Sequence, residues 1–328
     1  MRRLCVLAIV LAVPHTAAAY LELSSQVRGQ SVALRWSTTP VRWFATDRGV
    51  PGVSASEFQA AVARAFATWD AVPSASLSFQ FVGFTSAEPF DDDNISTVGF
   101  QAEPDMDRVL GATGFVVDDI TGDIIESDIF FNSTFAWSVA AGGDPAAFDL
   151  QSVATHEIGH FLGLGHSALG ETELRPDGGR RVIASGAVMF PISFGRGRIA
   201  DRQLQPDDVA GISDLYPAPT FRAQTGGIRG RVLRNGSPLF GAHVVAFDPS
   251  SGDLVGGFAL GAQGDFQIAG LAPGPYVVRV EPLDDADVES FFHVSKLDVD
   301  FGVTFYPQTV IVPAGGVGPP IEVSVRPK

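Results

Sequence analysis

The chain has 328 residues, a formal net charge of −15 and a single cysteine, Cys5. A balance this acidic repels phosphate backbones, so nucleic acid and anionic membrane surfaces are poor partners and neither is expected. With one thiol there is no internal disulfide and no cysteine-built metal site, so any metal must be held by histidine and carboxylates.

Residues 1–19, MRRLCVLAIVLAVPHTAAA, place two arginines before an apolar run and end on small residues. That is the layout of an export signal cleaved after Ala19, and the run is too short to span a bilayer. Cleavage removes Cys5 and leaves an exported chain. Secreted, periplasmic and cell-surface destinations all stay open. The remaining length suits two cored domains, and a monomer is expected. The boundary falls at the Pro-rich step YPAPTFRAQTGG. Residues 20–216 mix helix and strand patterns, 217–227 form a linker, and 228–328 hold only short alternating runs.

In the first domain, VSASEFQAAVARAFATWDAV offers Ser54 or Ser56 as a helix cap. Phe58, Val62, Phe66 and Trp69 then make one apolar stripe at helical spacing, a core-facing surface. LSFQFVGF alternates as a strand, and VLGATGFVVDDITGDIIESDIFFN reads as two strands about an Asp/Gly-rich turn. A second helix is predicted over 149–162, with Asp149 as N-cap and Gly163 just past its end. A third begins at Pro206 and runs toward Leu215. Strands followed by helices imply an α+β domain.

The stretch HEIGHFLGLGH carries three of the chain's six histidines. His156 and His160, four apart on a helix, project from one face and can aim ring nitrogens at one ion about 2 Å away. Leu150, Ala154, Ile158 and Phe161 occupy a different arc. Glu157 is turned roughly a quarter of the way round, off the metal but near a water bound to it. A helix that continued would carry His166 away. Gly163 can adopt the left-handed conformation that stops the helix and brings His166 back as a third ligand. Three neutral imidazoles leave the fourth position of a tetrahedral zinc for water, and Glu157 can serve as its base. By average residue usage this full pattern arises by chance on the order of once in 10⁵ chains of this length.

These residues resemble the metzincin metallopeptidases, whose signature H-E-x-x-H-x-x-G-x-x-H is followed by a methionine turn. Here the turn is SGAVMFP, with Met189 as a hydrophobic floor. Ser167 after the third histidine and Pro191 two after the methionine are similar to the matrixin branch, as are AFATWDAV and LQPDDVAGISDLYP. The resemblance covers residues 41–216. It implies a twisted mixed sheet with three helices, one catalytic zinc on His156, His160 and His166, and Glu157 as general base and acid. The reaction implied is hydrolysis of peptide bonds in extended protein or peptide substrates. The sheet edge at 110–113 is expected to pair with the substrate backbone. Pro191 to Ser193 and the loop through Arg202 are expected to line the pocket after the scissile bond.

Three departures from the family stand out. The latency cysteine of animal matrixins has no counterpart in the mature chain. No histidine lies in 76–152, so the family's second, structural zinc cannot be built in its usual way. Asp118, Asp119, Thr121 and Asp123 can supply calcium ligands, or can simply form an acidic turn.

From Gly227 onward the chain resembles the carboxypeptidase-regulatory-like, transthyretin-type β-sandwich. GRVLRNGSPLFGAHVVAFDP and GDFQIAGLAPGPYVVRVEP carry its glycine turns, with Phe266, Ile268, Leu271 and Tyr276 at core positions. No second catalytic centre is expected there. The function expected is a secreted zinc endopeptidase. The alternative is a catalytically silent or narrowly specific binding or adhesion protein on the same scaffold.

Overall fold

Ser54 is the serine that caps the first helix. Its hydroxyl accepts from Glu57 N while the Glu57 carboxylate takes Ser54 N, a capping box that starts α1 (Ala55–Asp70). This computed structural model describes residues 4–7 (backbone only), 20–176, 179–193, 195–292 and 297–328. The expected export signal therefore lies outside the described residues except for the backbone of Leu4–Leu7. On α1 the predicted stripe is the buried one, with Phe58, Val62, Phe66 and Trp69 at most 2% exposed. Burial of each such side chain contributes roughly 1.5–3 kcal/mol.

α1 packs on a six-stranded sheet ordered Leu4–Leu7, Gly111–Val117, Ile124–Asn132, Thr97–Gln101, Val41–Thr46, Phe79–Thr85. From Ile124–Asn132 to Phe79–Thr85 all neighbours run parallel, whereas Gly111–Val117 runs antiparallel to Ile124–Asn132. Leu4–Leu7 pairs with residues 114–117 only, so the outer edge at 110–113 has no strand partner among the described residues. Two central strands, Val41–Thr46 and Thr97–Gln101, went unassigned from sequence. Thr97–Gln101 is buried over its first four residues, so it shows no alternation, whereas Val41–Thr46 alternates only over Val41–Ala45.

α2 (Leu150–Phe161) is capped by Asp149, whose carboxylate accepts Ser152 N at 2.8 Å. The Trp69 indole donates to Thr155 O at 2.9 Å and ties α1 to α2. At the other end of α2 two orphan carbonyls find side-chain donors. Trp36 takes Phe161 O at 2.9 Å and the Tyr216 hydroxyl takes Leu162 O at 2.7 Å. α3 (Pro206–Leu215) follows, with Pro206 in its first turn as expected. Among the described residues no helix is long and apolar enough to cross a membrane.

The linker region contains a single-turn helix, Phe221–Gln224, and the first strand beyond it, Gly226–Arg234, begins two residues before the expected boundary. Two sheets then face each other. One holds Gly226–Arg234 between Asp265–Leu271 and Ile321–Val325, with Ser237–Pro238 also on it. The other runs Leu254–Phe258, His243–Phe247, Gly274–Glu281, with Thr304–Phe305 and Val310–Val312 on the last of these. Phe266, Ile268, Leu271 and Tyr276 sit in the core between the sheets, as the resemblance implied. One pair departs from an all-antiparallel sandwich, since Ile321–Val325 runs parallel to Gly226–Arg234.

Candidate metal centre

Gly163 does what its position after α2 demanded. Its φ is +100°, and a Cβ there would lie 2.0 Å from Leu34 O. Gly163→Ala is therefore expected to cost about 2–4 kcal/mol, measured by urea unfolding of the metal-free protein. A loss under 1 kcal/mol would mean the turn has room to relax.

The turn folds 163–166 back beneath the helix, and the imidazole nitrogens of His156, His160 and His166 come within 4.8 Å of one another. Each ring is held from behind by a backbone carbonyl. His156 Nδ1 meets Val188 O at 2.7 Å, His160 Nδ1 meets Leu164 O at 2.8 Å, and His166 Nδ1 meets Ser290 O at 2.7 Å. A carbonyl can only accept, so each Nδ1 carries the proton and each Nε2 is left with a bare lone pair. His160 Nε2 and His166 Nε2 stand 3.2 Å apart with no proton between them. Two nitrogens on a tetrahedral zinc, each about 2.0–2.1 Å from it, are separated by about 3.3 Å, so this donor set fits that ion. Burial, and the neighbouring rings for His160 and His166, push the imidazole pKa values down, that of His166 to about 3. The rings stay neutral, as metal ligands must.

Glu157 lies beside them, 5% exposed, with its pKa raised to about 7 by burial. Thr113 on the strand Gly111–Val117 opposes that rise by donating its hydroxyl to Glu157 Oε2 at 2.8 Å. That strand thus passes directly over the carboxylate. Asn132 holds the loop leading into it, its amide donating to Glu103 O, Met106 O and Val109 O at 2.9–3.2 Å.

Below the triad, Met189 packs its sulfur against Gly159 on α2, where a Cβ would come within 2.2 Å of it. The methionine floor needs a glycine at that place on the helix. The turn itself hangs from α3. Asp208, 2% exposed, accepts Val188 N at 2.8 Å, Met189 N at 3.1 Å and Gln205 N at 2.8 Å. Burial pushes its pKa up to about 6 against the pull of those amides.

Residues 35–176 match the family model Matrixin, and residues 227–292 match Carboxypeptidase regulatory-like domain. The N-terminal domain is a matrixin domain. Among its relatives, Metalloendoproteinase 2-MMP of Arabidopsis thaliana is 32% identical over 182 residues, which is 52% of this chain and 40% of that one. Metalloendoproteinase 1-MMP of the same plant is 34% identical over 169 residues, 48% of this chain and 38% of that one. Stromelysin-3 of Mus musculus is 34% identical over 110 residues, 31% and 18% of the two chains. The match spans less than half the length of each of these relatives. The matrixin family is zinc-dependent, in keeping with the donor set.

The site also rests on groups, within and beyond the matrixin domain, whose supporting roles sequence reasoning passed over. Thr113 lies in the expected edge, Val188 in the methionine turn and Asp208 in LQPDDVAGISDLYP, yet none was given a supporting role, and Ser290 belongs to no motif. Arg202, expected at the pocket wall, is committed elsewhere. Its guanidinium grips the Asp149 carboxylate at the start of α2 and donates to Ala140 O and Ala141 O. In the acidic turn, Asp118 Oδ1 accepts Ile120 N and Thr121 N at 2.8 and 3.0 Å, so that oxygen serves the turn's own backbone.

Proposed function

We propose that this chain is a secreted zinc endopeptidase that cleaves extended protein or peptide substrates. Residues 1–19 direct export, 20–216 perform the hydrolysis, and the linker 217–227 leads to the sandwich 228–328. The observation that carries the reading is the set of three imidazoles, each with its proton committed to a carbonyl and its lone pair turned inward beside a buried glutamate. His156, His160 and His166 hold the ion. Zinc, when bound, lowers the pKa of its water to about 7 and polarises the substrate carbonyl. Glu157 takes the proton of the attacking water as it adds to that carbonyl. It then delivers the proton to the amide nitrogen as the C–N bond breaks. Thr113 holds one carboxylate oxygen and leaves Oε1 for the proton. The edge at 110–113, which has no strand partner among the described residues, aligns the substrate as an added strand.

The test is to measure zinc in the purified protein and its cleavage of an unfolded protein, with and without a chelator. Zinc-dependent cleavage is expected. Stoichiometric zinc without cleavage of any of a broad peptide set would favour the silent-scaffold alternative.

Thr113→Val keeps the side chain's shape and removes its donor. The hydroxyl bond lowers the Glu157 pKa, so without it the base titrates higher and needs a more alkaline solution to be ionised. The acid limb of the kcat/KM–pH profile is expected to move to higher pH, with zinc content unchanged. A limb that stays in place would show that Glu157 does not set it.

A further inference from the structure

The outer nitrogens of His156 and His160 are held within their own domain, by Val188 O and Leu164 O. The third ligand is different. His166 Nδ1 finds its acceptor 124 residues further along, in the β-sandwich, at the carbonyl of Ser290. Phe291 stands edge-on to the same imidazole with ring centroids 6.3 Å apart, and is 1% exposed.

The segment that carries these two residues is anchored to the matrixin domain at both chain and side-chain level. Asp285 accepts Thr172 N at 2.7 Å through its carboxylate and the Thr172 hydroxyl at 2.7 Å through its carbonyl. Arg180 donates to Asp284 O at 2.8 Å. Leu283, Ala286, Phe291 and Phe292 share one hydrophobic cluster with Ala168 and Phe190, the residues two after His166 and one after Met189. Elsewhere on the interface Gly256 N donates to Asp207 Oδ1 at 2.7 Å, and Asp207 in turn takes the hydroxyl of Ser167, next to His166.

We propose that the sandwich domain is a positioning element of the metal centre. Its segment 283–292 delivers the Ser290 carbonyl that sets the tautomer and tilt of His166, so zinc affinity depends on that segment being docked. This rests on the triad being the zinc site. A neutral imidazole without that acceptor has two tautomers, one of which places the proton on the ligating nitrogen. Loss of such an outer partner typically weakens metal binding 10–100-fold. The two domains then form one working unit, and displacement of the sandwich lowers zinc occupancy without any change to a ligand.

The test uses the full chain with histidines labelled in nitrogen-15 and zinc affinity read by chelator competition. Phe291→Ala removes the anchor beside Ser290, and Phe291→Leu keeps most of it. An Asp285→Ala/Arg180→Ala pair, outside the core, loosens the segment where Phe291→Ala fails to fold. The expected result is a rise of tenfold or more in zinc Kd for the loosened variants. It is accompanied by loss of exchange protection at His166 Nδ1–H alone, and Phe291→Leu stays within threefold of the parent. Unchanged affinity in the loosened variants overturns the proposal. So does a loss of affinity in which the Nδ1–H of His156 and His160 deprotect equally, since that is general loosening. A parent protein that takes up no zinc refutes the zinc-site reading instead, and is told apart by that alone.

Discussion

Glu157→Ala is expected to take up zinc as the parent does and to cleave roughly 10²–10⁴-fold more slowly. The side chain is not among the three imidazoles, so the donor set is untouched. Nor should the fold suffer. Burial raises the Glu157 pKa to about 7, which means its ionised form gains nothing from being inside. The Thr113 hydroxyl keeps a second acceptor, Glu157 O, at 3.1 Å when the carboxylate is gone. What disappears is the group that moves the proton from water to the leaving nitrogen. Zinc content, cooperative melting and kcat/KM on one peptide, measured together, decide the matter. A variant that keeps its zinc and more than a tenth of the parent kcat/KM would remove Glu157 from the chemistry.

Asp208→Ala is expected to destabilise the fold more than Gly163→Ala does, by about 3–5 kcal/mol in urea unfolding of the metal-free protein. One carboxylate accepts three backbone amides in a place almost closed to water. Alanine leaves all three donors behind, and each buried donor without a partner costs about 1–3 kcal/mol before the turn relaxes. The same loss should reach the metal centre. Asp208 holds Val188 N, and Val188 O holds the His156 ring. Zinc Kd is expected to rise about tenfold or more, the usual consequence of losing an outer partner. Asp208→Asn keeps one carbonyl oxygen and should lie between alanine and the parent on both measures. Equal stability of the alanine variant and the parent would mean that α3 does not hold the methionine turn.

Much of the site is written in local spacing. The pair His156 and His160 shares a face because a helix repeats every ~3.6 residues, and Asp149 and Gly163 mark where that helix starts and stops. Leu150, Ala154, Ile158 and Phe161 are all fully buried on the other arc, as the pattern required. The α1 stripe was equally legible, because it depends on neighbours three or four residues away, and the sandwich core positions were legible through the motif they share with the family. Where the pattern failed, the reason is physical for one strand: Thr97–Gln101 lies inside a parallel sheet with both faces covered, and alternation disappears there.

By itself, then, the order of residues determined a helix bearing two imidazoles and a glutamate, a glycine that returns the third, and the families both halves resemble. Only the folded chain decided what stands behind each ring and over the glutamate. Thr113 meets Glu157 across 44 residues of sequence, and Ser290 meets His166 across 124. Three of those supports are backbone carbonyls, which every residue possesses. A group common to all residues leaves no trace in a sequence, and only the path of the chain through space can say which of them faces a histidine.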